Sequence, residues 1–178
     1  MPASAGDALI RRLFELGERY GITPYGTEAL GVMRIEKGHV AGPELNGQTT
    51  AGDLGMARMM STRKDYIGRP LSGRPALVDP ERPVLVGLIP VDRSQAFASG
   101  AHLIPAGRAA VAAHVEGHVT SVACSPTLGH GIALALLSRG RERHGERIVA
   151  HDPLRGMTVE AEVCNPVFFD SEGARARG

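Results

Sequence analysis

Tryptophan is absent from the 178 residues, and aromatic side chains make up only 4% of them. A base-stacking platform needs several exposed rings, so single-stranded nucleic acid is not an expected ligand. An excess of charge is lacking too. Twenty basic residues face 19 acidic ones, for a formal net charge of +1, which gives no electrostatic reason to expect nucleic acid or an anionic membrane. Apolar runs such as Ile132 to Leu137 are far shorter than the roughly 20 residues that span a bilayer. Cysteine is scarce: Cys124 and Cys164 lie forty positions apart without CxxC spacing. Both fall in apolar stretches that read as strands, so buried free thiols are expected. The N-terminal Met-Pro-Ala-Ser-Ala-Gly-Asp has no basic region leading into an apolar one, which gives the expectation of a cytoplasmic protein without a signal peptide.

Several catalytic signatures are also missing. There is no GxxxxGK[ST] to cradle phosphates. Gly129-His130-Gly131 approaches GxGxxG, but its sixth position is Leu134, and it lies between strand-like runs instead of opening a helix. Seven histidines occur without HExxH or other ligand spacing, and His118 and His130 read as polar residues near strand ends. Ser121 and Ser125 lack a GxSxG context.

What is present divides by texture. From Asp7 to Tyr20, Leu9, Leu13, Leu16 and Tyr20 recur at helical spacing, with Gly21 placed to cap the C-terminus. Thr27 can cap a second helix to about Lys37, ended by Gly38. Ala29, Val32, Met33 and Glu36 share one of its faces. Val40 to Asp53 reads as loop, Ser61 to Gly68 as the entry to a short helix, and Gly73 to Pro83 as a linker. After that, Val84–Ile89, His118–Ala123, Ile132–Leu137, Arg147–Ala150 and Thr158–Val163 are short runs punctuated by Gly, Pro or Asp. That is the pattern of an all-β barrel or sandwich. Ala109 to Ala113 fits strand or loop, and the tail from Ser171 reads as frayed. The fold expected is α+β: a small α/β segment followed by an all-β, barrel-like C-terminal domain.

Four stretches, in order, carry a family resemblance. They are Gly21-Ile-Thr-Pro-Tyr-Gly-Thr-Glu-Ala-Leu30 running into Val32-Met-Arg-Ile-Glu-Lys-Gly38; Thr49 to Met60 with Asp65 to Arg69; Leu85 to Leu88; and Gly117 to Ser121 with Ser125-Pro-Thr-Leu-Gly129 and Ile132 to Leu136. Together they resemble the C-terminal half of the aminomethyltransferase (glycine cleavage T-protein) family. The Arg-Ile-Glu-Lys form and the ending Glu162 to Asp170 are most similar to the alpha subunit of heterotetrameric sarcosine oxidase. The resemblance implies that residues 1–80 are the C-terminal portion of a folate-binding domain and residues 81–178 the family's β-barrel domain. It also implies one-carbon chemistry. A flavin in a neighbouring subunit oxidises sarcosine to an imine, and tetrahydrofolate in the T-protein-like part captures it, giving methylenetetrahydrofolate and glycine.

The resemblance makes tetrahydrofolate the expected cofactor of the complete enzyme, with flavin and NAD in other parts of the complex. The expected partners are the remainder of the alpha subunit and the flavin-bearing beta subunit, or a second copy. No catalytic residue is assigned, because relatives carry the credited carboxylate in the other half of the T-protein fold. Relatives from glycine cleavage show Ala-Arg-Asp where Ala29-Leu30-Gly31 stands here.

Five residues are candidates for the folate pocket. Glu36, on an apolar helix face, is either a pocket carboxylate or a structural ion-pairing or capping partner. Arg34 either grips the folate glutamate or braces Glu28 or the beta subunit. Tyr25 walls the pocket or serves a turn. Thr120 and Ser121, read as ending a strand, turn hydroxyls to the pocket or to turn hydrogen bonds. A non-catalytic module that docks the flavin-bearing subunit is the alternative reading of the whole chain.

Overall fold

The computed structural model describes residues 2–177. The chain divides into two compact units, residues 1–30 and 31–178.

The first unit is helical. Helix α1 covers Gly6–Gly17 and continues as a 3-10 turn, Glu18–Tyr20, which Gly21 ends in the left-handed region at φ 67°. Gly21 was expected there because a residue without Cβ enters that region without steric cost. The leucines sit on one stripe of α1, yet the helix contains no buried residue. Leu9, Ile10, Leu13 and Leu16 are 43–52% exposed.

Helix α2 spans Thr27–Glu36. The amide of Leu30 bonds the carbonyl of Gly26, so the helical ladder starts one residue before Thr27 and places Thr27 inside the helix. At the other end Gly38 turns left-handed at φ 67°, and the amides of Gly38 and His39 return to Ile35 and Arg34, closing a Schellman-type cap. The burial differs from the expected stripe: only Ile35 and Glu36 of α2 are buried, and Met33 is 43% exposed. Packing is thus confined to the last turn of the helix.

Most of the second unit is a closed antiparallel barrel with strand order β1-β4-β3-β2-β5-β6. Its strands are β1 Pro83–Pro90, β2 His102–Pro105, β3 Gly117–Ser125, β4 His130–Ser138, β5 Arg147–Asp152 and β6 Met157–Cys164. Five match the expected runs. β2 was not expected, and Ala109–Ala113 proves to be loop leading into a 3-10 turn at Ala112–His114. Among the described residues no strand precedes Pro83. That stretch holds turns, 3-10 turns at Ala57–Met59 and Pro75–Leu77, and the four-residue helix α3, Arg69–Ser72. The tail is ordered into α4, Ala174–Arg177. Asp170, left-handed at φ 50°, accepts from the amide of Arg175, and the Arg175 guanidinium lies 5.0 Å from the Phe169 ring centre. Gly178 lies outside the described residues.

Two cores share strand β4. Alternate residues of a strand point to opposite faces. Ala133, Ala135 and Leu137 fill the barrel interior with Val86, Leu88, Leu103, Val119 and Ile148. Ile132, Leu134 and Leu136 face outward into a second core with Ile35, Leu54 and Leu85, flanked by Phe168 and Met56. Burial on both faces explains why β4 is an unbroken apolar run instead of an alternating one. The cysteines depart from expectation. Cys164 is half-buried, but Cys124 is exposed, next to the β3–β4 turn at the end of the barrel.

Candidate functional site

Two buried carboxylates of the second unit, Glu36 and Glu44, meet the outer face of β3. The register of β3 against β4 shifts between Val119, opposite Ala135, and Ser121, opposite Leu134. Thr120 is therefore the extra residue of a β-bulge, and the bulge re-aims everything after it. Ser121, Ala123 and Ser125 now pair with Leu134, Ile132 and His130, and two-residue periodicity carries this set along the outer face. Each serine meets a buried carboxylate there.

Ser121 meets Glu44, which is fully buried. The Ser121 hydroxyl donates to Glu44 Oε1 at 2.6 Å. The Ala41 amide donates to Oε2 at 2.8 Å. Arg34 donates from Nη1 to Oε2 at 3.1 Å and from Nη2 to Ser121 Oγ at 2.8 Å. Burial alone pushes the Glu44 carboxyl up. Hydrogen bonds from Ser121, Thr120 and Ala41, with the Arg34 charge, outweigh it and hold the group below the usual carboxylate range. Thr120 has a single hydroxyl proton, and its 3.0 Å bond to the Leu134 carbonyl takes that proton. The lowering therefore rests mainly on the other three.

Ser125 meets Glu36. Its hydroxyl donates to Glu36 Oε1, and its oxygen accepts the Leu128 amide at 3.0 Å. The backbone carbonyl of Glu36 takes the amides of Phe168 and Phe169, so the last turn of α2 is tied to β3 by its side chain and to the tail by its backbone. Lys37 adds an ion pair with Asp170 at 3.0 Å.

Of the five candidates, Arg34 and Ser121 are brought together in one network. Glu36 joins Ser125 in another. Thr120 lies inside β3, not at a strand end, and bonds β4 instead of a turn. Arg34 is paired with Glu44, not with Glu28. Tyr25 belongs to the first unit and is 66% exposed. Glu44 was missed because it sits in a stretch that reads as loop, and no local spacing links it to Ser121.

A third buried carboxylate, Asp53, pairs with Arg82 at 2.6 Å. Burial raises its pKa, while bonds from Arg82 and Thr50 pull it below the usual range. Both residues of the pair line each of two cavities. One, of about 330 Å³, is lined by Thr50, Val78, Arg82, Val84, Arg139 and Glu142 among others. The other, of about 150 Å³, includes Asn46, Gln48, His118 and Leu136. None of the five candidates lines either one.

Two family models match successive parts of the chain. The GCVT N-terminal domain matches residues 1–64, and the glycine cleavage T-protein C-terminal barrel domain matches residues 84–170. This chain belongs to the glycine cleavage T-protein family. It is 46% identical over 176 residues to the sarcosine oxidase subunit alpha of Rhizobium meliloti (strain 1021), covering 98% of this chain and 18% of that protein. It is 33% identical over 172 residues to the aminomethyltransferase of Saccharopolyspora erythraea, covering 94% of this chain and 44% of that one. The chain thus spans less than a fifth of the first relative and less than half of the second. The crystal structure of the glycine cleavage system aminomethyltransferase T from Bartonella henselae shares the fold, with a TM-score of 0.72 at 20% identity over 96% of this chain and 45% of that one. No helix among the described residues is long and apolar enough to cross a membrane.

Proposed function

We propose that this chain is the C-terminal, folate-binding-type segment of a cytoplasmic sarcosine oxidase alpha subunit. In that reading it supports transfer of the one-carbon unit from oxidised sarcosine to tetrahydrofolate. The similarity to sarcosine oxidase alpha subunits along nearly the whole chain supports it. Residues 1–80 then complete a folate-binding domain, and residues 81–178 are the barrel beside it. The partners are the remainder of the alpha subunit and the flavin-bearing beta subunit, and flavin and NAD belong to those other parts.

The chemistry of the donors decides how this segment contributes. Tetrahydrofolate presents a carboxylate tail and a polar pterin edge. Arg34 spends both outer nitrogens on Glu44 and Ser121, Glu36 is buried against Ser125, and Thr120 is committed to Leu134. These four residues do not fit folate as direct ligands, because each contact would strip a buried partner. Their role is to brace the wall of a pocket whose polar ligands come from elsewhere in the subunit. Tyr25, with its exposed ring, is the one of the five free to meet a ligand.

Calorimetric titration with tetrahydrofolate tests this. No binding is expected to the chain alone, and binding is expected once the preceding part of the subunit is supplied. Tight binding to the chain alone overturns the bracing role. No binding to either overturns the folate reading and leaves the second one, a docking scaffold of the same fold. The exposed leucines of α1 favour that scaffold reading, since an uncovered apolar face tends to recruit a partner.

A further inference from the structure

The larger cavity beside Asp53 and Arg82 stands apart from the serine–carboxylate networks, since Arg34, Glu36, Glu44, Ser121 and Ser125 do not line it. Its volume of about 330 Å³ is that of a small-molecule site. Leu77, Val78, Pro80 and Val84 give it an apolar wall, and Val78 is 61% exposed, so that wall is open to be covered. Charges of both signs stand around it. Asp53 and Arg82 neutralise each other, and Arg82 spends its other donors on the carbonyls of Ala76 and Gln48. The remaining charged residues of the lining are not committed in this way. Arg139 has only a loose ion pair, to exposed Glu81 at 3.5 Å. Arg141 donates to the carbonyl of Gly52, which leaves its charge without a counter-charge. Asp79 takes the amide of Glu81 at 2.9 Å, and neither Asp79 nor Glu142 is ion-paired among the described residues.

The backbone that carries Arg139 is fixed in place. Arg139 is left-handed at φ 53°, a conformation that a side chain makes sterically costly. It is followed by buried Gly140, where an added Cβ would lie 2.5 Å from Val86 Cγ1 and 3.3 Å from Val84 Cγ2. The close seat of Gly140 on the barrel wall thus holds Arg139 at the rim of the cavity, and strain of this kind gathers where ligands are held. We propose that the cavity binds a small zwitterion, an α-amino acid with a branched apolar side chain. Its carboxylate goes to Arg139 and Arg141, its ammonium group to Asp79 and Glu142, and its side chain to the wall formed by Leu77, Val78 and Val84. The ligand carboxylate replaces the loose contact of Arg139 with Glu81 by charge-assisted hydrogen bonds. A ligand with one charge alone would leave the opposite pair of side chains unmatched. All four charged residues are exposed, so they need not be desolvated in the empty cavity.

Calorimetric titration of the full chain tests this with L-leucine and three compounds that each lack one part of it: glycine without the side chain, isocaproate without the amine and isoamylamine without the carboxylate. Leucine should saturate one site, and each of the other three should bind at least about tenfold more weakly. Arg139→Gly removes the guanidinium and relieves the left-handed residue, so it should melt no lower than wild type while leucine binding weakens by about tenfold. Arg108→Ala, at an exposed position outside the lining, should change nothing. The proposal is overturned if leucine does not saturate at millimolar concentration, or if glycine, isocaproate or isoamylamine binds as well as leucine. It is overturned equally if Arg139→Gly keeps the wild-type affinity, or if Arg108→Ala loses as much. Folate is absent from every arm, so the outcome is independent of the folate titration.

Discussion

Replacing Glu44 by alanine removes the acceptor for three donors at once: the Ser121 hydroxyl, the Ala41 amide and the Arg34 guanidinium. Breaking a buried pair by removing one partner costs about 3–5 kcal/mol. Arg34 retains 21% exposure of its side chain and still reaches Ser121 and the carbonyl of His39. The lower end, about 3 kcal/mol, is therefore expected. In a chain of 178 residues each kcal/mol moves the melting temperature by about 2–4 °C, so Glu44→Ala should melt roughly 6–12 °C lower. Glu44→Gln keeps the shape and loses the charge, and should cost about 1–2 kcal/mol. The pH dependence carries a definite sign. The folded carboxyl titrates below its unfolded value, so its contribution is complete above the unfolded pKa of about 4.3 and is lost as pH falls through the folded value. The stability gap between wild type and Glu44→Gln should be full at neutral pH and shrink in acid. Urea unfolding across a pH series measures it. A cost under about 1 kcal/mol for Glu44→Ala, a gap that ignores pH, or additivity of Arg34→Ala with Glu44→Ala would refute the network.

Gly87→Ala should destabilise the barrel by about 1–3 kcal/mol, read by urea unfolding. A Cβ there would lie 2.5 Å from the Asn165 carbonyl oxygen and 2.8 Å from Phe168 Cζ, and the backbone atom cannot yield cheaply. Burial, then the Glu162 charge, pushes the Cys164 thiol up to about 12, so mild alkylation at pH 8 should label Cys124 first. Mass spectrometry showing Cys164 labelled at an equal rate would contradict this. Sedimentation should show self-association of the full chain at tens of micromolar that Leu13→Glu with Leu16→Glu abolishes; a compact monomer would show that the α1 stripe recruits no second copy.

Much of the fold was legible because it is encoded locally. The Leu stripe of α1, the glycines at 21 and 38, and five of six strands carry their own signals of period or punctuation. β2 does not: His102–Pro105 is four residues long, too few to display alternation, and it exists through pairing with β3 and β5. The site was legible by residue type but not by role. Arg34, Glu36 and Ser121 stand out as polar groups in apolar surroundings, yet what they bind is set by Glu44 and Ser125, which lie 10 and 89 positions away from Arg34 and Glu36 respectively. The bulge at Thr120, which decides the direction of both serines, leaves no mark in composition or spacing.

The pairing of β1 with β6 has a consequence for the order of events during synthesis. The barrel's first strand must wait for its last before the cylinder can close, and its backbone stays open on one side until residue 164 has left the ribosome. The following segment then returns to the carbonyl of Glu36 and the amine of Lys37. A nascent chain halted before Met157 therefore lacks both the closing strand and the clasp on α2, and it exposes a sheet edge that invites mispairing. Stop codons placed before the stretch that encodes β6 and the segment to Asp170 should therefore leave the barrel unclosed.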